Sequence, residues 1–182
     1  LSAKKANSLM VTLAEGLTGY MTFQTRTGLS PAFHRYLLFD PIVRIARDKL
    51  WKVRSSEVLG DGNEKTPHNS IDFIFESQTH EGLVVGLQLK WYDESGTQLH
   101  LGEDIEKLHL LRKRQEGKES FNFILIALHH TLNNPDADHQ LPKIRNADLD
   151  QLQLCYSTDY PTRYSRYGAV VFEVKYTSQL HL

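Results

Sequence analysis

With 182 residues, 40% of them hydrophobic, the chain carries enough apolar material for one domain with a proper core and is too short for two comfortable ones. A net charge of −1 gives no overall nucleic-acid signal, and no apolar run approaches the ~20 residues that span a bilayer. The single Cys155 excludes an internal disulfide framework and a cysteine zinc site, and it fits a reducing, cytoplasmic location. The opening Leu1-Ser2-Ala3-Lys4-Lys5 is basic, but the apolar stretch after it is broken by Glu15 and Gly16. It is a poor secretory signal, and the missing initiator Met suggests a trimmed or partial chain.

Residues 6–23 read as a first helix, or a helix plus a strand, leading into a Thr25–Pro31 loop. Ser30-Pro31 is a helix start, with Pro in the first turn. Phe33, Tyr36, Leu37, Val43, Ile45, Ala46 and Leu50 repeat with helical spacing. Pro41 kinks this helix or opens a second one, with Asp40 as its N-cap. Trp51–Leu59 reads as a first strand, Gly60–Ser70 as a polar hairpin-like loop, and Ile71–Glu76 and Leu83–Tyr92 as the next two strands. Asp93-Glu94-Ser95-Gly96 supplies turn chemistry. Asp104–Glu116 is an amphipathic helix, with Ile105, Leu108 and Leu111 inward. Phe121–Leu128 is nearly all apolar, which suits a central strand covered on both faces. After a long polar loop, Ala147–Leu154 reads as weakly helical and Gly168–Tyr176 as a late strand.

The second and third strands carry the chemistry. Asp72 interrupts Ile71-Asp72-Phe73-Ile74-Phe75, and Gln88-Leu89-Lys90 ends the otherwise apolar run from Gly82. The period of two in a strand places Gln88 and Lys90 on one face. An acid and a lysine buried in apolar strands are costly unless they face each other, a metal or a ligand. Asp72 and Lys90 as a cross-strand ion pair, with Gln88 only hydrogen-bonding, is the purely structural interpretation.

An Asp on one strand and (Asp/Glu/Gln)-x-Lys on the next resembles the PD-(D/E)xK nuclease superfamily, over roughly residues 34–130. The resemblance implies an α/β, restriction-endonuclease-like core within a single domain, residues 1–182. Its order is helix, three strands, helix, strand, a central mixed sheet flanked by helices, here with an extra C-terminal strand. It also implies metal-dependent hydrolysis of DNA phosphodiester bonds with Mg²⁺ or Mn²⁺. Asp72 would be the principal metal ligand, with Gln88 and the Leu89 carbonyl as further oxygen donors and Glu57 as a second carboxylate. Lys90 would stabilise developing negative charge. Many members carry a Glu on the first helix. Here that region reads Phe33-His34-Arg35-Tyr36, so Asp40 substitutes or the ligand is lost. The alternatives are a decayed domain of the same fold serving as a nucleic-acid- or protein-binding module, and an unrelated α/β interaction protein. The number of subunits is left open, from a homodimer to part of a larger polypeptide or complex.

Charge is uneven along the chain: residues 1–54 hold nine Lys/Arg and three Asp/Glu, the rest twelve and nineteen. Arg44, Arg47, Lys49, Lys52 and Arg54, together with Arg112, Lys113 and Arg114, are the candidate phosphate-tracking surface; two solvated faces are the alternative. His129-His130 with Asp136, Asp138 and His139 lacks metal-ligand spacing and reads as a solvated loop. Tyr156, Tyr160, Arg163, Tyr164, Arg166 and Tyr167 mix aromatics with Arg, a combination that stacks on bases, or more simply packs a loop. His68 reads as a turn residue. No Gly-rich phosphate loop or Gly-x-Ser-x-Gly elbow is present, and nothing around Cys155 marks a nucleophile.

Overall fold

The computed structural model describes residues 1–26, 35–59, 70–93, 98–131, 142–161 and 165–176. Ser30-Pro31, His68, the turn after Asp93, Asp136, Asp138, His139, Arg163 and Tyr164 lie outside them. A long helix α1 (Ser2–Arg26) comes first, then a single 3-10 turn (Arg35–Leu38) running into α2 (Phe39–Asp48). Strands β1 (Trp51–Val58), β2 (Ser70–Ser77) and β3 (Leu83–Asp93) follow, then α3 (Gly102–Arg114) and β4 (Glu119–Thr131). A short α4 (Asn146–Leu149), β5 (Leu152–Pro161) and β6 (Ser165–Val174) complete the order. No helix among the described residues is long and apolar enough to cross a membrane.

The strands form one six-stranded mixed sheet in the order β1-β2-β3-β4-β6-β5. Among the described strands only β3 and β4 pair in parallel, and α3 is the crossover between them. Parallel neighbours need such a connection. Two apolar layers cover the sheet. On one side α1 and α2 pack on Phe73, Phe75, Leu87, Leu89, Phe123 and Leu125. On the other α3 packs on Ile74, Val84, Ile124, Ile126, Val170 and Phe172. The uninterrupted run Phe123–Leu128 is buried throughout because β4 lies between the two layers.

Several expectations need correction. Residues 6–23 belong wholly to helix, and Thr25 continues it by donating its hydroxyl to the Met21 carbonyl at 2.9 Å. Asp40 is not an N-cap: α2 starts at Phe39, and Asp40 instead pairs with Arg44 at 2.8 Å on the surface. Pro41 fits because it falls in the first turn, where backbone N–H groups have no intrahelical partner to lose. The expected helix Ala147–Leu154 ends at Leu149, and Leu152 onward is the edge strand β5. Tyr156 and Tyr160 are therefore strand residues. The Tyr156 hydroxyl donates to Glu15 at 2.8 Å, which ties β5 to α1.

Gly86 sets how closely α3 approaches the sheet. A Cβ there would lie 2.5 Å from Leu111 Cδ2 and 2.6 Å from Asn122 Oδ1. Asn122 cannot turn away freely, since its amide donates to the Leu108 carbonyl at 2.9 Å. Gly86→Ala is expected to cost about 1–3 kcal/mol by overpacking. Thermal denaturation should show a fall in Tm of roughly 2–4 °C per kcal/mol. An unchanged Tm would mean that α3 is free to shift.

Candidate functional site

The β2–β3 ladder runs from Glu76↔Val84 to Phe73↔Leu87 and stops there. Ile71 packs in the α3-side layer and Phe73 in the opposite one, so β2 turns over between them, at Asp72. On its other side, β1 is kinked opposite Asp72 by Ser56, whose φ is 54°. Side chains serve the backbone groups at this opening. Asp72 Oδ2 accepts from the Leu89 N–H at 2.8 Å, and the Gln88 amide donates to the Ser70 carbonyl at 3.1 Å. Both residues are buried, at 3% and 2% exposure.

Gln88 and Lys90 share the α3 side of β3, where Val84 and Tyr92 also lie. Lys90 Nζ is 2.7 Å from Asp104 Oδ2, in the first turn of α3. Asp104 is itself 5% exposed. The other oxygen of Asp72, Oδ1, accepts from Arg35 Nη2, carried by the 3-10 turn ahead of α2. Burial pushes the Asp72 carboxyl above its ordinary range, and the Leu89 amide, Arg35 and Lys90 pull it back only in part. The opening therefore holds a buried carboxylate and a buried amide, with Arg35 on the carboxylate and the Lys90 charge near enough to act on it.

Glu57 is turned elsewhere. It pairs with Arg54 at 2.9 Å, and Arg54 also reaches Glu76 at 3.1 Å, forming a network along β1 and β2. Asp40 is held by Arg44 on an exposed surface and does not stand in for a first-helix acid. Arg35 and Asp104 were not legible as site residues. Arg35 stands where a Glu is expected, and Asp104 looks like any acid drawn to a helix N-terminus.

The start of α3 is held by a separate buried acid. Asp148 Oδ2 accepts from the Leu101 N–H at 2.8 Å, while its Oδ1 takes Arg145 Nη2 at 2.8 Å. Because Leu101 immediately precedes α3, this clamp also fixes the turn that carries Asp104.

The basic groups lie at the other end of the sheet. Asp104 and Lys113 are separated by roughly 14 Å along α3 at 1.5 Å per residue. Lys52 lies opposite Glu76 in the β1–β2 register, and Lys118, between α3 and β4, approaches Glu76 at 4.0 Å. Arg112 lies 4.3 Å over the Tyr176 ring, and Arg44 is taken by Asp40. His129 stacks with Tyr167 at 4.9 Å and Trp91 at 6.4 Å. No group of three His, Cys, Asp or Glu side chains suited to a metal occurs among the described residues. Comparisons with models of protein families, with curated proteins and with solved structures found no match.

Proposed function

We propose that this chain is a metal-dependent deoxyribonuclease with a restriction-endonuclease-like core, and that the opening between β2 and β3 is its active site. The observation that carries this reading is the buried Asp72 held on the Leu89 N–H where the ladder parts, with the Gln88 amide on the Ser70 carbonyl and the Lys90 charge near enough to act on the Asp72 carboxyl. The order helix, three strands, helix, strand around a mixed sheet supports it.

Mg²⁺ or Mn²⁺ fits the donor chemistry. Asp72, the Gln88 amide oxygen and the Leu89 carbonyl are hard oxygen donors, and Asp72 is a buried acid whose neighbours do not fully offset its desolvation. Glu57 would join only by leaving Arg54. When bound, the cation would supply Lewis-acid activation of water and neutralisation of phosphate charge. Lys90 contributes a fixed positive charge, aimed by Asp104, for a phosphate oxygen that gains charge during attack. Leu89 N–H orients the Asp72 carboxylate. Arg112, Lys113 and Arg114 serve as outer contacts, about four base-pair rises of 3.4 Å from the site.

The test is cleavage of duplex, single-stranded and branched DNA with Mg²⁺ or Mn²⁺, comparing wild type with Asp72→Asn. Wild type is expected to cut, and Asp72→Asn to lose both cutting and calorimetric cation binding. Equal cation binding in the two proteins would remove Asp72 from the metal shell. One observation favours the inactive binding module instead: Arg35 already neutralises Asp72. In that case wild type would bind DNA and cut none of these substrates.

A further inference from the structure

Resting on the nuclease reading, we propose that Arg35 is the phosphate-binding group of this site, held on Asp72 in the free protein and released to a phosphodiester oxygen when a divalent cation takes the carboxylate. Three observations carry this. The Arg35 side chain is 34% exposed while Asp72 is almost wholly enclosed, so the guanidinium spans the boundary between buried acid and solvent. Its Nη2 is spent on Asp72, but its Nε is buried with no hydrogen-bond partner, a donor still owed an acceptor. A planar fork of N–H groups matches the paired oxygens of a phosphodiester better than a lysine does.

The charges dictate the coupling. Arg35, Asp72, Lys90 and Asp104 together sum to zero, so the free site is balanced. A divalent cation held by Asp72 would add two positive charges, and Arg35 would lose its partner. A phosphodiester then supplies an acceptor for the released guanidinium and offsets part of the added charge. Each ligand therefore favours the other, and by linkage the effect is reciprocal. The cation must also displace Arg35, so Arg35 weakens cation binding when no nucleic acid is present.

Calorimetric titration with Ca²⁺, which takes the same oxygen donors, tests this with and without a short DNA duplex. Without duplex, Arg35→Gln should bind Ca²⁺ about tenfold more tightly than wild type; adding duplex should tighten wild type about tenfold and leave the variant nearly unchanged. Arg35→Lys keeps the charge on Asp72 but lacks the fork. It should match wild type without duplex and lose the duplex effect, which guards against a poorly folded Gln variant. Unaltered Ca²⁺ affinity in Arg35→Gln, or equal tightening by duplex in all three proteins, overturns the proposal. If that happens while Asp72→Asn still loses Ca²⁺, only the role of Arg35 falls. If Asp72→Asn binds Ca²⁺ like wild type, the site reading falls and takes the proposal with it.

Discussion

Lys90→Ala is expected to lower metal-dependent DNA cleavage by about 10²–10³-fold, the effect of removing one charge-stabilising donor from a transition state. The structure adds a complication. Lys90 is the partner of the buried Asp104, so the substitution leaves a carboxylate unpaired. Breaking a fully buried pair costs about 3–5 kcal/mol. With a quarter of the lysine side chain exposed, the lower end applies here. Loss of cleavage alone therefore would not separate chemistry from folding. Lys90→Ala combined with Asp104→Asn removes the stranded charge and should recover most of the lost stability, read as the urea midpoint. Cleavage should stay as low in the double variant as in Lys90→Ala. Recovered cleavage would reduce Lys90 to a structural partner of Asp104.

Asp148→Ala should destabilise the fold from outside the candidate site. It leaves the buried Leu101 N–H without an acceptor, at about 1–3 kcal/mol, and loosens the start of α3. Its pH dependence is a sharper signature. Burial pushes the Asp148 carboxyl up, but Arg145, the Leu101 amide and His100 outweigh it and hold the group below its ordinary 3.8. An acid depressed on folding stabilises the native state above the unfolded value, and the benefit is lost as pH falls through the folded one. The stability gap between wild type and Asp148→Asn should thus be full at neutral pH and shrink as pH drops below the ordinary carboxylate range. Asp72, raised on folding, acts in the opposite sense: its native state gains relative stability as pH falls through its folded value towards the ordinary one. A gap between wild type and Asp148→Asn that stays constant down through that range would show that the Asp148 charge is not what clamps α3.

The local sequence determined what depends on periodicity. The alternation of β3 placed Gln88 and Lys90 on one face, and the apolar run of β4 announced a strand buried on both sides, because a side-chain period of two needs no tertiary contact to be read. The amphipathic pattern of α3 was equally legible. Elements without such a pattern were not. β5 has exposed Gln153, Leu154 and Cys155 near its start and lies at the sheet edge, so only pairing with β6 makes it a strand. The partners of the candidate site came from tertiary structure alone. Arg35 and Asp72 are 37 positions apart, and Asp148 meets Leu101 from 47 positions along the chain. Asp104 reaches Lys90 because the crossover helix begins above the end of β3. A buried charge states that it needs a partner, but the chain's path decides which residue supplies it.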